Sequence, residues 1–135
     1  MAVAGWVLDN SAAARAADDA VAQQLAQLPG DLFVCPVGEL EQLYSARSAS
    51  DYDRLKASLR ASFETIEAPP GLLGRALRLQ QDLAHHHGMW HRTPIPDLLI
   101  AETALHHGLG VVHLDRDYDR IAEVRPLTVR RLRQG

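Results

Sequence analysis

The sequence contains one cysteine, one lysine and no long apolar run. Cys35 has no partner for a disulfide within the chain, which fits a reducing compartment, and its apolar neighbours at 32–34 indicate a small buried side chain. No apolar stretch approaches the roughly 20 residues that a membrane-spanning helix requires, and no basic segment opens the chain. We therefore expect a soluble, cytoplasmic protein.

Linkers, internal repeats and low-complexity tracts are also lacking. The seven prolines and nine glycines are dispersed over 135 residues, and the 47% hydrophobic and 23% charged content is that of an ordinary globular protein. We expect a single domain over residues 1–135. The net charge of −3 gives no overall attraction to nucleic acid. Four arginines nevertheless crowd the C-terminus, which suits either a solvated end or contact with phosphates or an acidic partner: Arg125, Arg130, Arg131 and Arg133.

Short apolar runs alternate with segments of helical periodicity along the chain. We expect strands at residues 3–8, 32–35, 65–67, 111–115 and 127–129. We expect helices at residues 11–28, from 36 onward, and at 51–63, 72–87, 97–107 and 118–123, with Ser11 and Ser50 as N-caps. Because this alternation favours parallel pairing, we predict an α/β fold in which helices sandwich a short parallel sheet.

The helical spacing also predicts which faces are buried. The residues expected to face the core are Val37, Leu40, Leu43 and Tyr44 in the third segment, Tyr52, Leu55, Leu59 and Phe63 in the next, and Leu73, Leu77, Leu79, Leu83 and Ala84 in the longest.

Four acidic residues lie at predicted strand ends or in predicted helices. Asp9 and Asp115 end strands, Asp97 opens a helix, and Glu41 lies in the helix after the second strand. Parallel topology brings strand ends to one edge of a sheet, where ligands bind. Clustered carboxylates need a cation, and oxygen ligands suit Mg²⁺ or Mn²⁺, which activate water for attack on phosphodiesters. Taken singly, each acid also fits a turn or a helix start, so both interpretations stay open.

Four segments together resemble PIN-domain proteins, specifically VapC-type ribonuclease toxins of bacterial toxin–antitoxin pairs. They are VLDNSA at 7–12, EQLYSAR at 41–47, PDLLIAETA at 96–104 and VVHLDRDY at 111–118. The resemblance implies a PIN-like three-layer α/β/α sandwich. It also implies that catalysis and divalent-metal binding (Mg²⁺ or Mn²⁺) are carried by Asp9, Glu41, Asp97 and Asp115. Ser11 would support the first acid, Asp117 would be a further or alternative ligand, and Glu39 is the alternative to Glu41.

The same resemblance implies a function and partners. The expected activity is endoribonuclease cleavage of structured RNA (tRNA or rRNA), with a VapB-type antitoxin and a second copy of the chain as protein partners. The alternative is a catalytically inactive PIN-like scaffold that binds RNA or protein. A receiver-like phosphoacceptor domain is disfavoured, because the one lysine, Lys56, lies inside a predicted helix.

Two further features allow more than one interpretation. The histidines at 85–87 and His91 suggest zinc, but consecutive residues on a helix point about 100° apart, so a helix C-terminus explains them better. Trp90 beside Arg92 suits either a base and a phosphate or packing on the protein's own surface.

Overall fold

Five parallel strands form the centre of the molecule. The structure, a computed structural model, describes residues 3–86, 88, 92–114 and 118–134. The strands are β1 (Gly5–Leu8), β2 (Asp31–Val34), β3 (Glu64–Thr65), β4 (Gly110–His113) and β5 (Val129–Arg131), in the order β3-β2-β1-β4-β5. The strand order reverses between β1 and β4, and a crevice at such a switch point is where open α/β sheets bind ligands.

Helices cover both faces of this sheet. They are α1 (Asn10–Ala14), α2 (Asp19–Gln27), α3 (Pro36–Tyr44), α4 (Ala49–Ser62), α5 (Leu72–His85), α6 (Ile95–His106) and α7 (Asp119–Ala122). One apolar core joins α5, α6 and α7 to the sheet through residues such as Leu79, Ile100 and Tyr118. A second core lies on the opposite face around Trp6 and Val21. The predicted three-layer α/β/α sandwich is therefore confirmed.

The two central strands pack very closely at their amino ends. All residues of β1 and β4 are buried, as expected for inner strands of a parallel sheet. The Trp6 indole covers Gly110, where an added Cβ would lie 2.6 Å from the ring. The Trp6 Nε1–H donates to the Pro29 carbonyl at 3.0 Å. The first contact holds β1 against β4, and the second holds β1 to the segment that precedes β2.

The first helical segment differs from the prediction at its start and in its continuity. The single helix expected over 11–28 is two helices, separated at Arg15–Asp18. Asp9, rather than Ser11, is the N-cap of α1, because its extended backbone lets the carboxylate accept the Ala12 N–H. Ser48 likewise caps α4 in place of Ser50, accepting from the Asp51 N–H.

Two helices bury some of the residues predicted to face the core and expose others. Leu43 of α3 and Leu79 and Leu83 of α5 are buried, as predicted. Leu40 and Tyr44 of α3 are 67% and 92% exposed, and Leu73 and Leu77 of α5 are 71% and 66% exposed. Apolar residues occupy more than one face of each helix, so spacing alone does not show which of them are buried. In α4 only Leu59 of the four expected residues is buried.

The last strand begins two residues later than expected. β5 pairs with β4 at Val111↔Val129, Val112↔Arg130 and His113↔Arg131. The apolar run at 127–129 contributes the buried Leu127, but that residue lies before the strand. Two of the terminal arginines therefore belong to the sheet. None of the described helices is long and apolar enough to cross a membrane.

Candidate functional site

Asp9 lies directly after β1, at the carboxyl edge of the sheet, and is 1% exposed. Its Oδ1 accepts the Ser11 hydroxyl at 2.7 Å and the Ala12 N–H at 3.0 Å. Its Oδ2 is buried and makes no hydrogen bond of ordinary geometry to a described residue. Burial raises the pKa of Asp9, although the Ser11 and Ala12 hydrogen bonds lower it in part. One oxygen is thus held by the fold and the other is left for a ligand.

Ser11 joins Asp9 to the neighbouring strand. Its hydroxyl donates to Asp9 and accepts the Leu114 N–H at 2.9 Å, just beyond β4. The Asp9 N–H itself donates to the Val112 carbonyl at 3.1 Å. The ends of β1 and β4 are therefore tied together at the switch point, and the Asp9 carboxylate cannot rotate freely.

Asp97 is the second carboxylate at this edge. It lies in the first turn of α6 and is 4% exposed, where the helix dipole favours a negative charge. The link between Asp97 and Asp9 is Tyr118, a fully buried residue before α7. Burial raises the pKa of the Tyr118 hydroxyl well above its usual value, and the charges of Asp9 and Asp97 add to this effect. A single phenol therefore faces both carboxylates, which brings the two acids into one site.

Sequence reasoning did not identify Tyr118 as part of the site. Tyr118 is the last residue of the fourth segment of the resemblance, and that position was the indication in the sequence that it could belong to the site. Its ring also packs against His113, with ring centroids 5.1 Å apart. The buried His113 lowers the pKa of Asp9 through its charge. The phenol and the imidazole thus form one wall of the site.

The structure separates the roles of Glu39 and Glu41 on α3. Glu39 is 8% exposed, and its Oε2 forms an ion pair with Arg60 Nε at 3.0 Å, which joins α3 to α4. Glu41 is partly buried. Burial raises the pKa of Cys35, the residue that precedes α3, and the charge of Glu41 contributes to this rise. The neighbouring Gln42 donates its amide N–H to the Asn10 carbonyl at 3.1 Å, which joins α3 to the start of α1. The role of Glu41 as a metal ligand stays a prediction.

Asp115 and Asp117 lie outside the described residues, as do Trp90, His87 and His91. Across residues 3–86, 88, 92–114 and 118–134, no group of three His, Cys, Asp or Glu side chains is arranged to hold a metal ion. His86 contacts Glu123 at 3.2 Å, between Nε2 and Oε1. The acids that the described structure brings together are Asp9 and Asp97.

Replacing Asp9 by Asn is expected to stabilise the metal-free protein at pH 7. The amide keeps an oxygen for Ser11 and Ala12 but removes a buried charge with an unsatisfied oxygen, a change of about 1–3 kcal/mol. Urea unfolding monitored by circular dichroism in EDTA measures it. The matched control is Asp31→Asn, an exposed residue at the amino end of β2, expected to change stability by less than about 0.5 kcal/mol.

The gain from Asp9→Asn should depend on pH. Because burial raises the pKa of folded Asp9 above its ordinary value of 3.8, the unfolded chain binds fewer protons between the two values. The free energy of unfolding of the wild type therefore falls as pH rises through that window. The advantage of the variant should be near zero below both values and complete at neutral pH. A variant less stable than the wild type at pH 7 would contradict this account of Asp9.

The chain is similar in sequence to a known protein family and to named relatives. Residues 2–124 match the model of the PIN domain family. The chain is 58% identical to Ribonuclease VapC17 of Mycobacterium tuberculosis, over 90% of each chain. It is 39% identical to Ribonuclease VapC21 of the same organism, over 88% of this chain and 87% of that one.

Solved structures share the fold at low identity. VapBC2 from Rickettsia felis, bound to a promoter DNA fragment, gives a TM-score of 0.77 at 15% identity, covering 96% of this chain and 99% of that one. VapBC-5 from Mycobacterium tuberculosis gives 0.68 at 23% identity, with the same coverage. The family match and the sequence identities together establish that this chain belongs to the PIN domain family and, within it, to the VapC-type proteins.

Proposed function

We propose that this protein is a divalent-metal-dependent endoribonuclease and the toxin of a toxin–antitoxin pair, with residues 1–135 acting as one domain. The observation that carries the proposal is the burial of Asp9 and Asp97 around one phenol, with Asp9 Oδ2 left unsatisfied. The name of the 58% identical relative, a ribonuclease, supports it. We infer that the protein acts in the cytoplasm, where RNA is present and Cys35 stays reduced.

The residues present fit a hard cation. Two buried carboxylates at one site repel each other, and no Lys or Arg in the described chain forms an ion pair with Asp9. Asp9 and Asp97 would hold Mg²⁺ or Mn²⁺, and we propose Glu41, Asp115 and Asp117 as further ligands. When bound, such an ion activates water for attack on a phosphodiester and stabilises the negative charge that develops on the phosphate.

The surrounding residues prepare the carboxylates for this role. Ser11 and Ala12 hold Asp9 Oδ1, so that only Oδ2 remains to be satisfied. Tyr118 stays a neutral hydroxyl, because burial and the neighbouring acids raise its pKa. It can therefore donate a proton to a hydrogen bond without adding a third negative charge to the site. The rigid link from Ser11 to Leu114 keeps this geometry before substrate arrives.

We propose structured RNA, such as tRNA or rRNA, as the substrate. The rival function is a scaffold of the same fold that binds RNA or protein without cleaving it. The paired burial of Asp9 and Asp97 favours cleavage, because a scaffold gains nothing from two carboxylates whose desolvation costs stability.

RNA cleavage should require both metal and carboxylates. We expect the wild type to cleave a tRNA mixture in Mg²⁺ or Mn²⁺ and to lose activity in EDTA, with recovery when metal is restored. Asp9→Asn and Asp97→Asn should each lower the rate by about a hundredfold or more. Asp31→Asn is the control with the same change at the opposite edge of the sheet and should retain activity. Cleavage that persists in EDTA, or in both site variants, would leave the scaffold as the better account.

We propose that a VapB-type antitoxin segment binds the groove between α1, α2 and α4. This groove has a volume of about 420 Å³ and is lined by small and apolar side chains, among them Ala13, Ala26, Leu32, Leu59 and Phe63. Such a surface suits an apolar side chain of an inserted helix.

Ala26→Glu should weaken antitoxin binding while RNA cleavage remains. Ala26 is an exposed residue of α2 that lines the groove, so a carboxylate there would be buried by a partner. Growth arrest on expression should then persist when the product of the neighbouring gene is co-expressed. Ala61→Glu, an exposed alanine of α4 outside the groove lining, is the control, and the partner should still relieve its toxicity. Relief of both variants would place the antitoxin elsewhere.

We also propose a homodimer that buries the outer face of α5. Leu73 and Leu77 are one helical turn apart and 71% and 66% exposed, beside a shallow groove that continues to Ala84. Leu77→Glu should convert the dimer to a monomer in sedimentation experiments. Leu40→Glu, on α3 with 67% exposure, is the matched control. Dissociation by Leu40→Glu alone would move the interface to α3.

A further inference from the structure

Two of the arginines near the C-terminus lie in a strand, and their side chains are solvated, as one interpretation of the sequence allowed. Arg130 and Arg131 belong to β5, and Arg133 follows two residues after Arg131. All three side chains are exposed. Since β5 runs parallel to β4, the chain proceeds from these residues toward the carboxyl edge of the sheet, the edge at which Asp9 lies.

Arg131 is connected to the carboxylate site through one residue. It is paired in register with His113, and its Nε–H donates to the Leu114 carbonyl at 3.2 Å. The N–H of the same Leu114 donates to Ser11 Oγ, which in turn donates to Asp9 Oδ1. The guanidinium is therefore anchored at the rim of the site by one of its five donors. The Arg131 side chain as a whole remains exposed, and a guanidinium has four further N–H donors.

The backbone of Arg133 is held by two hydrogen bonds to the side chain of Gln24. Its N–H donates to Gln24 Oε1 at 2.9 Å, and Gln24 Nε2–H donates to its carbonyl at 2.6 Å. This paired contact attaches the segment after β5 to α2, while the Arg133 side chain itself stays exposed. Less conformational entropy is lost on binding when the backbone is already ordered.

These arginines carry a local positive charge. Residues 124–135 contain four arginines and no acidic residue, in a chain with a net charge of −3. Arg125 pairs with Asp82 and Glu102, whereas in the part of the chain that is described no Asp or Glu forms an ion pair with the other three. A groove of about 690 Å³ runs between this segment and α2, lined also by Gln23, Gln24 and Gln27.

We propose that Arg131 and Arg133 bind phosphates of the RNA strand next to the one that is cleaved. This inference rests on the proposed ribonuclease function and names the residues that position its substrate. Two buried carboxylates repel an approaching phosphate chain, so fixed cations at the same edge are needed to bring it in. Guanidinium groups present two parallel donors to a phosphate, and glutamine amides beside them suit the sugar hydroxyls. An acidic segment of the antitoxin is the alternative ligand for these arginines. Such a segment would have no need to bind next to Asp9, whereas an RNA strand that is cleaved there would.

Arg130 offers a matched control within the same strand. Successive residues of a strand point to opposite faces, and the Arg130 guanidinium lies over the Trp6 ring, 5.7 Å from its centroid. Arg130 also lines the groove beside α2, but its guanidinium lies against the Trp6 ring. Arg130→Gln therefore removes the same charge from the neighbouring position while both guanidinium groups of the proposed phosphate contact remain. A difference between it and the other two variants reports contact and not net charge.

The test compares Arg131→Gln, Arg133→Gln and Arg130→Gln. Binding of a fluorescein-labelled RNA hairpin is followed by anisotropy in EDTA over a range of salt concentrations. We expect Arg131→Gln and Arg133→Gln each to weaken binding roughly tenfold at low salt and to reduce the slope of log Kd against log salt by about one. Arg130→Gln should change both by much less. In cleavage assays the first two should raise KM while kcat changes little.

Each result decides between alternatives. Equal losses in all three variants, or no loss in Arg131→Gln and Arg133→Gln, would overturn the inference, as would a loss confined to antitoxin binding. Arg131→Lys keeps the charge and tests the site if Arg131→Gln unfolds, and it should restore binding in part. Arg133 contributes only backbone bonds to the fold, so its variant should fold. Binding in EDTA does not depend on cleavage. If Arg131→Gln and Arg133→Gln weaken RNA binding as expected but the wild type does not cleave RNA, the ribonuclease proposal fails while the phosphate contacts stand.

Discussion

The two oxygens of the Asp9 carboxylate have different environments, and the rest of the site depends on this difference. One oxygen is held by a hydroxyl and a backbone N–H, and the other is buried without a hydrogen bond of ordinary geometry to a described residue. Burying a charge in this way costs free energy, which the apolar packing of β1 and its neighbours offsets elsewhere. Because the strands are parallel, this buried carboxylate lies at the edge of the sheet where several elements begin and end. A ligand that binds at this edge can therefore offset the free-energy cost of burying the charge.

Ser11 and Tyr118 show how short-range and long-range contacts meet at this edge. Ser11 lies two residues from Asp9 and yet bonds to Leu114, across more than one hundred residues of sequence. Tyr118 comes from the start of α7 and faces carboxylates contributed by β1 and α6. The site is therefore assembled from elements that are distant in the sequence. Its geometry depends on how these elements pack against one another.

Much of the fold was predictable because buried parallel strands are continuous apolar runs between turn signals. The position of Asp9 was predictable for the same reason, since it follows such a run, and that of Asp97 was predictable because it opens a helix. The cap of α1 was not, because Asp9, Asn10 and Ser11 are all good N-caps and only the path of the backbone chooses among them. Tyr118 was missed because a tyrosine beside a four-residue helix has no periodicity to mark it. Leu73 and Leu77 were misplaced because α5 carries apolar residues on more than one face.

The cap formed by Asp9 has a consequence for how such a protein can evolve. The same carboxylate begins α1 and contributes to the site, so most replacements at this position would damage the helix along with the chemistry. Asparagine is the exception, because it caps a helix as well as aspartate does. A duplicated copy with that one change would keep its architecture and its groove between α1, α2 and α4. Under the proposed function, this copy would bind antitoxin without cleaving RNA, and it would thereby lower the amount of antitoxin available to the active copy.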